Sequence, residues 1–339
     1  MRQKSRKKLW VLGTGGTIAG LSANAHDNLG YVSAQVGVAQ LAGSVGPAIA
    51  QHWELLTEQV AQIDSKDMDF DVWALLAGRC RHYLAQEDVA GLVVTHGTDT
   101  LEETAYFLHR VLGSEGIAHK PVVLTGAMRP ASSMASDGPQ NLRDALAVAA
   151  DPAASGVLVV FAGKVHGAVQ VQKVHPYRLD AFDSGESGPI GFVEEGMLRL
   201  AVRGGWPAPP VPSMPLPALQ GSGAGWPRVE IIMAYAGASA RLIDALLSES
   251  PDDPLRGIVV AATGNGTLHK ALEAGLLRAR DAGVRVVRAT RCSQGRVLAG
   301  AMDAIPDSLG LSPLKARIAM VLDLLQAAPA AAGSVRPLP

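Results

Sequence analysis

The sequence is poor in the features that mark several classes of protein. Its 339 residues include only two cysteines, Cys80 and Cys292, which lie far apart and form no metal-ligand spacing. We therefore expect two buried structural thiols rather than a metal site. Charged residues make up 18% of the chain and the net charge is −1, so the basic face of a nucleic-acid-binding protein is missing.

Long apolar runs are also missing. No uninterrupted apolar stretch approaches the ~20 residues that a membrane-spanning helix needs, which excludes such a span. A basic start from Arg2 to Lys8 followed by LWVL superficially resembles a signal peptide, but glycines interrupt the apolar stretch after four residues. Cleavage there would also remove candidate site residues, and the sequence therefore favours a cytoplasmic protein.

Apolar material for a core is abundant, since hydrophobic residues make up 48% of the chain. Short leucine-rich or β-branched runs predict strands at 9–12, 91–95, 121–125, 156–161, 229–234, 257–262 and 284–288. Apolar residues at helical spacing predict helices at 67–84, 101–112, 141–149, 240–247, 268–279 and 313–325. This alternation of strands and helices predicts a fold of two α/β domains.

One break in the alternation sets the predicted boundaries. Residues 204–227 are too rich in proline and glycine for a helix or strand and are interpreted as a linker between domains. Residues 1–203 are predicted to form the larger N-terminal α/β domain, with a parallel-type sheet flanked by helices. Residues 228–326 are predicted to form a smaller, Rossmann-like α/β domain, followed by a mobile tail at 327–339.

A glycine-rich turn with a threonine follows the first predicted strand, at residues 13–20 (GTGGTIAG). In open parallel sheets, ligands bind beyond the carboxyl ends of the strands. The turn lacks the third glycine of a dinucleotide fingerprint and the lysine of a P-loop, which disfavours a nucleotide site. It could present the Thr17 hydroxyl and hold a carboxylate or developing oxyanion with free N–H groups. Alternatively, Thr17 caps a helix or turn.

The next strand end carries THGTDTLEE at residues 95–103. Asp99 and Glu102 have the three-residue offset of a capping box, so a structural role for Asp99 stays open beside a chemical one. His96 is flanked by glycine and threonines. This setting favours a packed or backbone-bonded imidazole outside the chemistry.

A third turn follows the strand at 121–125, with TGAMRP and then SDGPQN before a predicted helix. Asp137 resembles an N-terminal helix signal, with Pro139 just inside the helix. Arg129 is interpreted as balancing buried carboxylates rather than binding substrate. Ser65 follows a strand that ends at Ile63 and is a further candidate, with a helix cap as the alternative.

Threonine- and glycine-rich turns at one edge of a sheet indicate hydroxyl chemistry. A hydroxyl is a weak nucleophile unless a base or a desolvated cation lies nearby. Lys173 is the best unpaired candidate for this role, because burial would ease the release of its proton.

These turns, in this order, resemble those of the bacterial type II L-asparaginase and glutaminase-asparaginase family. The matching segments are 13–20, 95–108 (THGTDTLEETAYFL), 126–142 (GAMRPASSMASDGPQNL) and 264–268 (GNGTL), within a similarity from Trp10 to Leu325. The resemblance implies an L-asparagine amidohydrolase that works through a threonine acyl-enzyme, with no metal or other cofactor. The alternatives are a dual enzyme that also hydrolyses L-glutamine and a non-catalytic amide-binding protein of the same fold.

The resemblance also assigns roles to individual residues. Thr17 matches the nucleophile, and Tyr31 matches the tyrosine of a mobile loop that poises or relays the Thr17 proton. Thr98, Asp99 and Lys173 match a second cluster that orients water or polarises the amide. Which threonine attacks in each half-reaction stays open. The residues implied in substrate binding are Gly16, Ser65, Lys66, Gly97, Thr98, Asp99, Ala127 and Asn265.

The resemblance further implies a homotetramer with shared sites, in which Asn265 reaches into the site of a neighbouring subunit. No nucleic-acid or membrane partner is expected. Residues 289–303 contain no glutamate, although many relatives supply one from this region to a partner's site. Lys66 stands where glutamine is common, which adds a positive charge near the expected carboxylate site. Both departures bear on the choice between asparagine and glutamine, because a pocket discriminates one methylene by only about 1–3 kcal/mol.

Overall fold

The computed structural model describes residues 6–49, 51–113, 120–201, 225–248, 252–298, 300 and 304–327. The chain divides into two compact units, Met1–Leu216 and Pro217–Pro339. Most of the predicted linker, at 204–224, and the predicted tail beyond residue 327 lie outside the described residues. The domain boundaries therefore stay a prediction.

The first unit is built on one eight-stranded sheet. The strands of the whole unit, including two outside this sheet, are β1 (Lys8–Gly15), β2 (Glu54–Ile63), β3 (Val89–Thr95), β4 (Val122–Thr125), β5 (Val157–Phe161), β6 (Lys164–Gly167), β7 (Gln172–Lys173), β8 (Phe182–Asp183), β9 (Gly191–Glu194) and β10 (Met197–Leu200). Its helices are α1 (Val38–Ile49), α2 (Phe70–Leu84), α3 (Leu101–Leu112) and α4 (Gly138–Ala150). The sheet order is β10-β9-β6-β5-β4-β3-β1-β2, while β7 and β8 pair separately.

The centre of this sheet is parallel. β2, β1, β3, β4 and β5 run in one direction, and β6, β9 and β10 extend the sheet in antiparallel fashion. Helix α4 covers one face, where Leu142 and Leu146 share a core with Val93 and Val123. The predicted α/β fold is confirmed. The short strands after β5 and helix α1 were not predicted, because few residues form each strand and glycines and a proline interrupt α1.

The second unit contains a three-stranded parallel sheet in the order β11-β12-β13. Its elements are β11 (Arg228–Met233), α5 (Arg241–Leu247), β12 (Leu255–Ala262), α6 (Lys270–Asp281), β13 (Arg285–Thr290) and α7 (Pro313–Ala327). Ile258 and Val260 of β12 pack in one core with Leu272 and Leu276 of α6. The order of strands and helices in this unit is the predicted alternation. Within the described parts of both units, no helix has the length and apolar character to cross a membrane.

The two cysteines differ in burial. Cys80 is buried in α2, and this burial raises the pKa of its thiol to about 12. Cys292 is exposed in the segment that follows β13. The prediction of a buried thiol is therefore right for Cys80 and wrong for Cys292, which lies past the end of the strand rather than within it.

His96 and His166 are two of the buried histidines of the first unit. The ring nitrogens of His96 lie 2.7 Å from the Gly97 carbonyl oxygen and 2.9 Å from the Thr104 hydroxyl. His166 in β6 lies 2.9 Å from the Ser184 hydroxyl. Burial lowers the pKa of each imidazole to about 4. The structure thus agrees with the prediction of a packed, backbone-bonded His96.

We expect the free energy of unfolding to fall as the pH drops from 6.5 to 4.5, by about 2–3 kcal/mol for each of these histidines. A depressed pKa means that a buried imidazole stays neutral in the folded protein at pH values where the same imidazole in the unfolded chain takes up a proton. The contribution to stability is therefore full above the pKa of the unfolded chain and is lost as the pH falls towards 4. Urea unfolding at several pH values measures the change. His166→Asn should show a shallower pH dependence, and an unchanged dependence in this variant would contradict the explanation.

Candidate active site

Three turns meet at one edge of the large sheet because β1, β3 and β4 are neighbouring parallel strands. Gly16 has a φ of 81°, and a Cβ there would overlap the backbone of Gly97. A Cβ on Gly97 would overlap the Ser65 hydroxyl, and one on Gly126 would press on the His96 carbonyl oxygen. Glycine is therefore required at these positions, since it lets the backbones of the turns touch.

Thr17 begins the short 3-10 turn Thr17–Ala19 directly after β1, and it is almost fully buried. Gly16 occupies the N-cap position, and no side chain caps this turn. The Thr17 hydroxyl lies 2.7 Å from the phenolic oxygen of Tyr31, and either group can donate. Thr17 therefore does not cap the turn, and its hydrogen-bond partner is a phenol.

Tyr31 belongs to residues 21–32, which we call the Tyr31 loop. An antiparallel bridge joins the first and last residues of this loop. The Ser22 N–H donates to the Ser132 hydroxyl at 2.7 Å, which ties the Tyr31 loop to the segment before α4. In this arrangement Tyr31 reaches back to Thr17.

Lys173 brings the second cluster together from β7. Its Nζ donates to Thr98 Oγ1 at 2.9 Å and to Asp99 Oδ1 at 2.6 Å. Lys173 is therefore not unpaired, contrary to the prediction. The capping alternative for Asp99 is also wrong: the N-cap position of α3 belongs to Thr100 and has no side-chain cap bond. The Asp99 carboxylate cannot serve the helix terminus because it is turned to the ammonium group of Lys173.

Ser65 connects the end of β2 to this cluster. It is fully buried, and its hydroxyl accepts the N–H of Asp99 at 3.3 Å. Asp64, rather than Ser65, is the N-cap of the short turn that follows, so the cap alternative for Ser65 is wrong. Lys66 is exposed, and its ammonium group pairs with the carboxylate of Asp67. The positive charge predicted near the site is therefore partly balanced by its neighbour.

The third turn contains the buried Ala127. Asp137 accepts the N–H groups of Met128 and Arg129, each at 3.0 Å. It occupies the N-cap position of α4 as predicted, yet its side chain makes no cap bond, because the carboxylate faces the turn instead. Arg129 donates to the Ala135 carbonyl at 3.0 Å. Arg129 forms no ion pair with any carboxylate in the described ranges. The prediction that it balances buried carboxylates is therefore wrong.

Asn265 lies in the second unit, in the turn between β12 and α6. Thr263 and Thr267 close this turn through two main-chain hydrogen bonds of 3.1 and 2.9 Å. The Asn265 amide donates to the Leu298 carbonyl at 3.1 Å and accepts the Leu298 N–H at 2.7 Å. Its amide is thus engaged within its own chain. The reach into a neighbouring subunit's site stays a prediction.

Glu102 is the site residue that the sequence prediction missed. Its carboxylate is buried in the first turn of α3 and accepts the main-chain N–H of Lys173 at 3.0 Å. No local pattern in the sequence signals this contact, because Glu102 and Lys173 are 71 positions apart. In the structure Glu102 lies among the buried residues of α3, which include Leu101 and Ala105, where an acidic residue is rarely found without a partner.

Both units match known families. Residues 8–203 match the family model described as "Asparaginase, N-terminal", and residues 228–331 match the "Glutaminase/Asparaginase C-terminal domain". L-asparaginase 2 of Bacillus subtilis is 36% identical, covering 95% of this chain and 84% of that protein. L-asparaginase 2 of Escherichia coli is 37% identical, covering 93% and 88%. Glutaminase-asparaginase of Pseudomonas fluorescens biotype A is 33% identical, covering 93% and 85%.

A solved structure is also similar. It is the crystal structure of a probable cytoplasmic L-asparaginase from Campylobacter jejuni, with a TM-score of 0.83 and 32% sequence identity. The match covers 95% of this chain and 96% of that chain.

Proposed function

The chain belongs to the asparaginase family, and from this premise we propose that it hydrolyses the side-chain amide of L-asparagine to aspartate and ammonia. The observation that carries the proposal is a pair of threonine hydroxyls on turns whose backbones touch. Thr17 is paired with the Tyr31 phenol, and Thr98 is paired with the Lys173 ammonium. Covalent amide hydrolysis needs such an arrangement, in which a hydroxyl nucleophile has proton-transfer groups beside it.

In the proposed reaction, the Thr17 oxygen attacks the amide carbon and its proton passes by way of the Tyr31 hydroxyl. The C–N bond then breaks, and the leaving nitrogen takes up the proton and departs as ammonia. Water attacks the resulting ester, aspartate is released, and the Thr17 hydroxyl regains its proton. Thr98, whose hydroxyl accepts from the Lys173 ammonium that also pairs with Asp99, orients the water or polarises the amide.

The same edge of the sheet supplies the proposed substrate contacts. The Ser65 hydroxyl, beside Gly97, is assigned to the α-carboxylate of the substrate. The Asp99 carboxylate is assigned to the α-amine, and 59% exposure of its side chain leaves it open to a cation from solvent. The backbones of Gly16, Gly97 and Ala127 are assigned to the lining of the pocket.

A dual glutaminase-asparaginase is the second candidate. It is supported by 33% identity to the P. fluorescens enzyme of that name. The two substrates differ by one methylene, which a pocket discriminates by about 1–3 kcal/mol, so small changes at positions such as Lys66 could set the preference. A non-catalytic amide-binding protein is less well supported. Loss of catalysis should appear as a lost hydroxyl or lysine, yet Thr17, Thr98 and Lys173 are all present.

The proposal extends to assembly and location. We infer a homotetramer whose sites are shared between subunits, and dilution to monomers should then abolish activity, as light scattering and assays on the same samples would show. We also infer a cytoplasmic location, which is supported by the similarity to the C. jejuni protein, itself named a probable cytoplasmic L-asparaginase. One relative, from Haemophilus influenzae, is named a probable periplasmic L-asparaginase, so fractionation of cells is the deciding measurement.

Ammonia release from L-asparagine and, separately, from L-glutamine tests the proposed function over a range of substrate concentrations. Release from asparagine alone would establish a selective asparaginase. Comparable release from both amides would establish the dual enzyme. Release from neither would overturn the proposal and favour the binding protein, which calorimetry with both amino acids would then detect.

A further inference from the structure

Glu102 is a buried acidic residue whose position is unusual for a helix that packs against the core. It lies in the first turn of α3, between the fully buried Leu101 and the partly buried Glu103, and is itself only 7% exposed. Burial of a carboxylate is costly unless hydrogen bonds or charges compensate. The N-terminal end of a helix favours a negative charge, which offsets part of this cost.

The carboxylate of Glu102 is bound to the strand that carries Lys173. Its Oε2 accepts the main-chain N–H of Lys173 at 3.0 Å. β7 consists of two residues and, within the described part of the chain, pairs only with the two-residue strand β8, so its own ladder holds it weakly. A charge-assisted hydrogen bond from α3 is therefore an important restraint on the position of this strand.

Lys173 is consequently held at both ends by one short piece of chain. Its ammonium group contacts Thr98 and Asp99, and its main-chain N–H contacts Glu102. These three partners lie in the five residues that run from the turn after β3 into the first turn of α3. A lysine side chain has many rotamers, and fixing both its ends to one rigid segment removes most of that freedom.

We propose that Glu102 is a positioning residue for the reaction: it fixes the backbone of Lys173 so that the ammonium group stays on Thr98 and Asp99. It acts through Lys173 and does not touch the substrate. This inference rests on the proposed function, in which the pair of Thr98 and Lys173 takes part in the hydrolysis.

The test compares Glu102→Ala, Glu102→Gln and the control Glu103→Ala, the control being a neighbour in the same helical turn. Glu102→Ala should lower kcat for L-asparagine about tenfold or more with little change in KM, because binding groups stay in place while the reacting groups lose their alignment. Glu102→Gln keeps an oxygen acceptor for the Lys173 N–H and should recover most of the rate. Glu103→Ala should stay close to the native protein. A native kcat in Glu102→Ala would overturn the proposal.

A double-mutant cycle separates positioning from a general structural role. If Glu102 acts through Lys173, adding Glu102→Ala to Lys173→Met should cause no further loss of kcat. Independent, multiplicative losses would overturn the proposal and indicate that Glu102 only supports the fold.

A crystal structure of Glu102→Ala gives a readout that does not depend on the reaction. The Lys173 ammonium should lose at least one of its contacts to Thr98 and Asp99, whereas an unmoved ammonium would overturn the proposal. Absence of amide hydrolysis by the native protein would instead refute the proposed function, and the crystal structure would still decide the role of Glu102.

Discussion

Thr17→Ala should lower the rate of ammonia release from L-asparagine by about four orders of magnitude while the protein stays folded and binds its substrate. The hydroxyl that would attack is removed, and the Tyr31 phenol loses the group to which it is hydrogen-bonded at 2.7 Å. The fold should tolerate the change, because Thr17 provides no helix cap and the turn is fixed by main-chain contacts of Gly16 and Ala19. Steady-state assays, calorimetric binding of L-asparagine and thermal unfolding measure the three quantities.

Thr17→Ser is the matched control. It keeps the hydroxyl and removes only the methyl group, so a substantial part of the activity should return. Ammonia release by Thr17→Ala within tenfold of the native rate would contradict the nucleophile assignment.

The same variants can decide which threonine forms the ester. Rapid quenching of the native protein or of Thr98→Ala, followed by peptide mass spectrometry, should find the aspartyl group on Thr17. Thr98→Ala should accumulate this ester if Thr98 serves mainly to direct water in the second step. An aspartyl group on Thr98 in the native protein would reverse the assignment of the two threonines.

The sequence predicts the parts of the fold that depend on local pattern. The buried strands β3, β4 and β12 contain short apolar runs, and apolar residues at helical spacing predict α3, in which all residues but Glu103 and Arg110 are buried. The turns after β1, β3 and β4 could be placed at one edge because parallel strands end on the same side. The strands after β5 could not be predicted, since their pairing depends on distant partners rather than on their own few residues.

In the candidate site, too, local pattern predicts some features, while contacts between distant residues could not be predicted. Spacing alone leaves two uses open for Asp99, a helix cap or a charge partner, because a carboxylate before a helix suits both. In the structure, the Asp99 carboxylate forms an ion pair with Lys173, and these two residues are 74 positions apart in the sequence. No local pattern signals that partner. For the same reason the sequence presents Lys173 as unpaired and gives Glu102 no connection to the site, although the structure joins all three residues.

Lys173→Met should have the second large effect, a fall in kcat of about three orders of magnitude. Methionine fills similar space but cannot donate to Thr98 Oγ1 or pair with Asp99, so the Thr98 hydroxyl loses its charged partner. The loss should appear in kcat rather than in folding. Asp99 is largely exposed, so water can solvate its carboxylate once the ammonium group is gone. Assays with L-asparagine and urea unfolding test both statements.

Lys164→Met provides the matched control for this substitution. Lys164 also forms an ion pair, with Asp180 at 2.8 Å, but it lies on β6 and contacts neither threonine. Both variants lose one lysine charge and one partly exposed ion pair, so a general effect of charge or packing would lower their activities alike. If the ammonium group acts on Thr98, only Lys173→Met loses turnover. Similar activities in the two variants would mean that Thr98 works without a charged partner, and the second cluster would then serve the fold rather than the reaction.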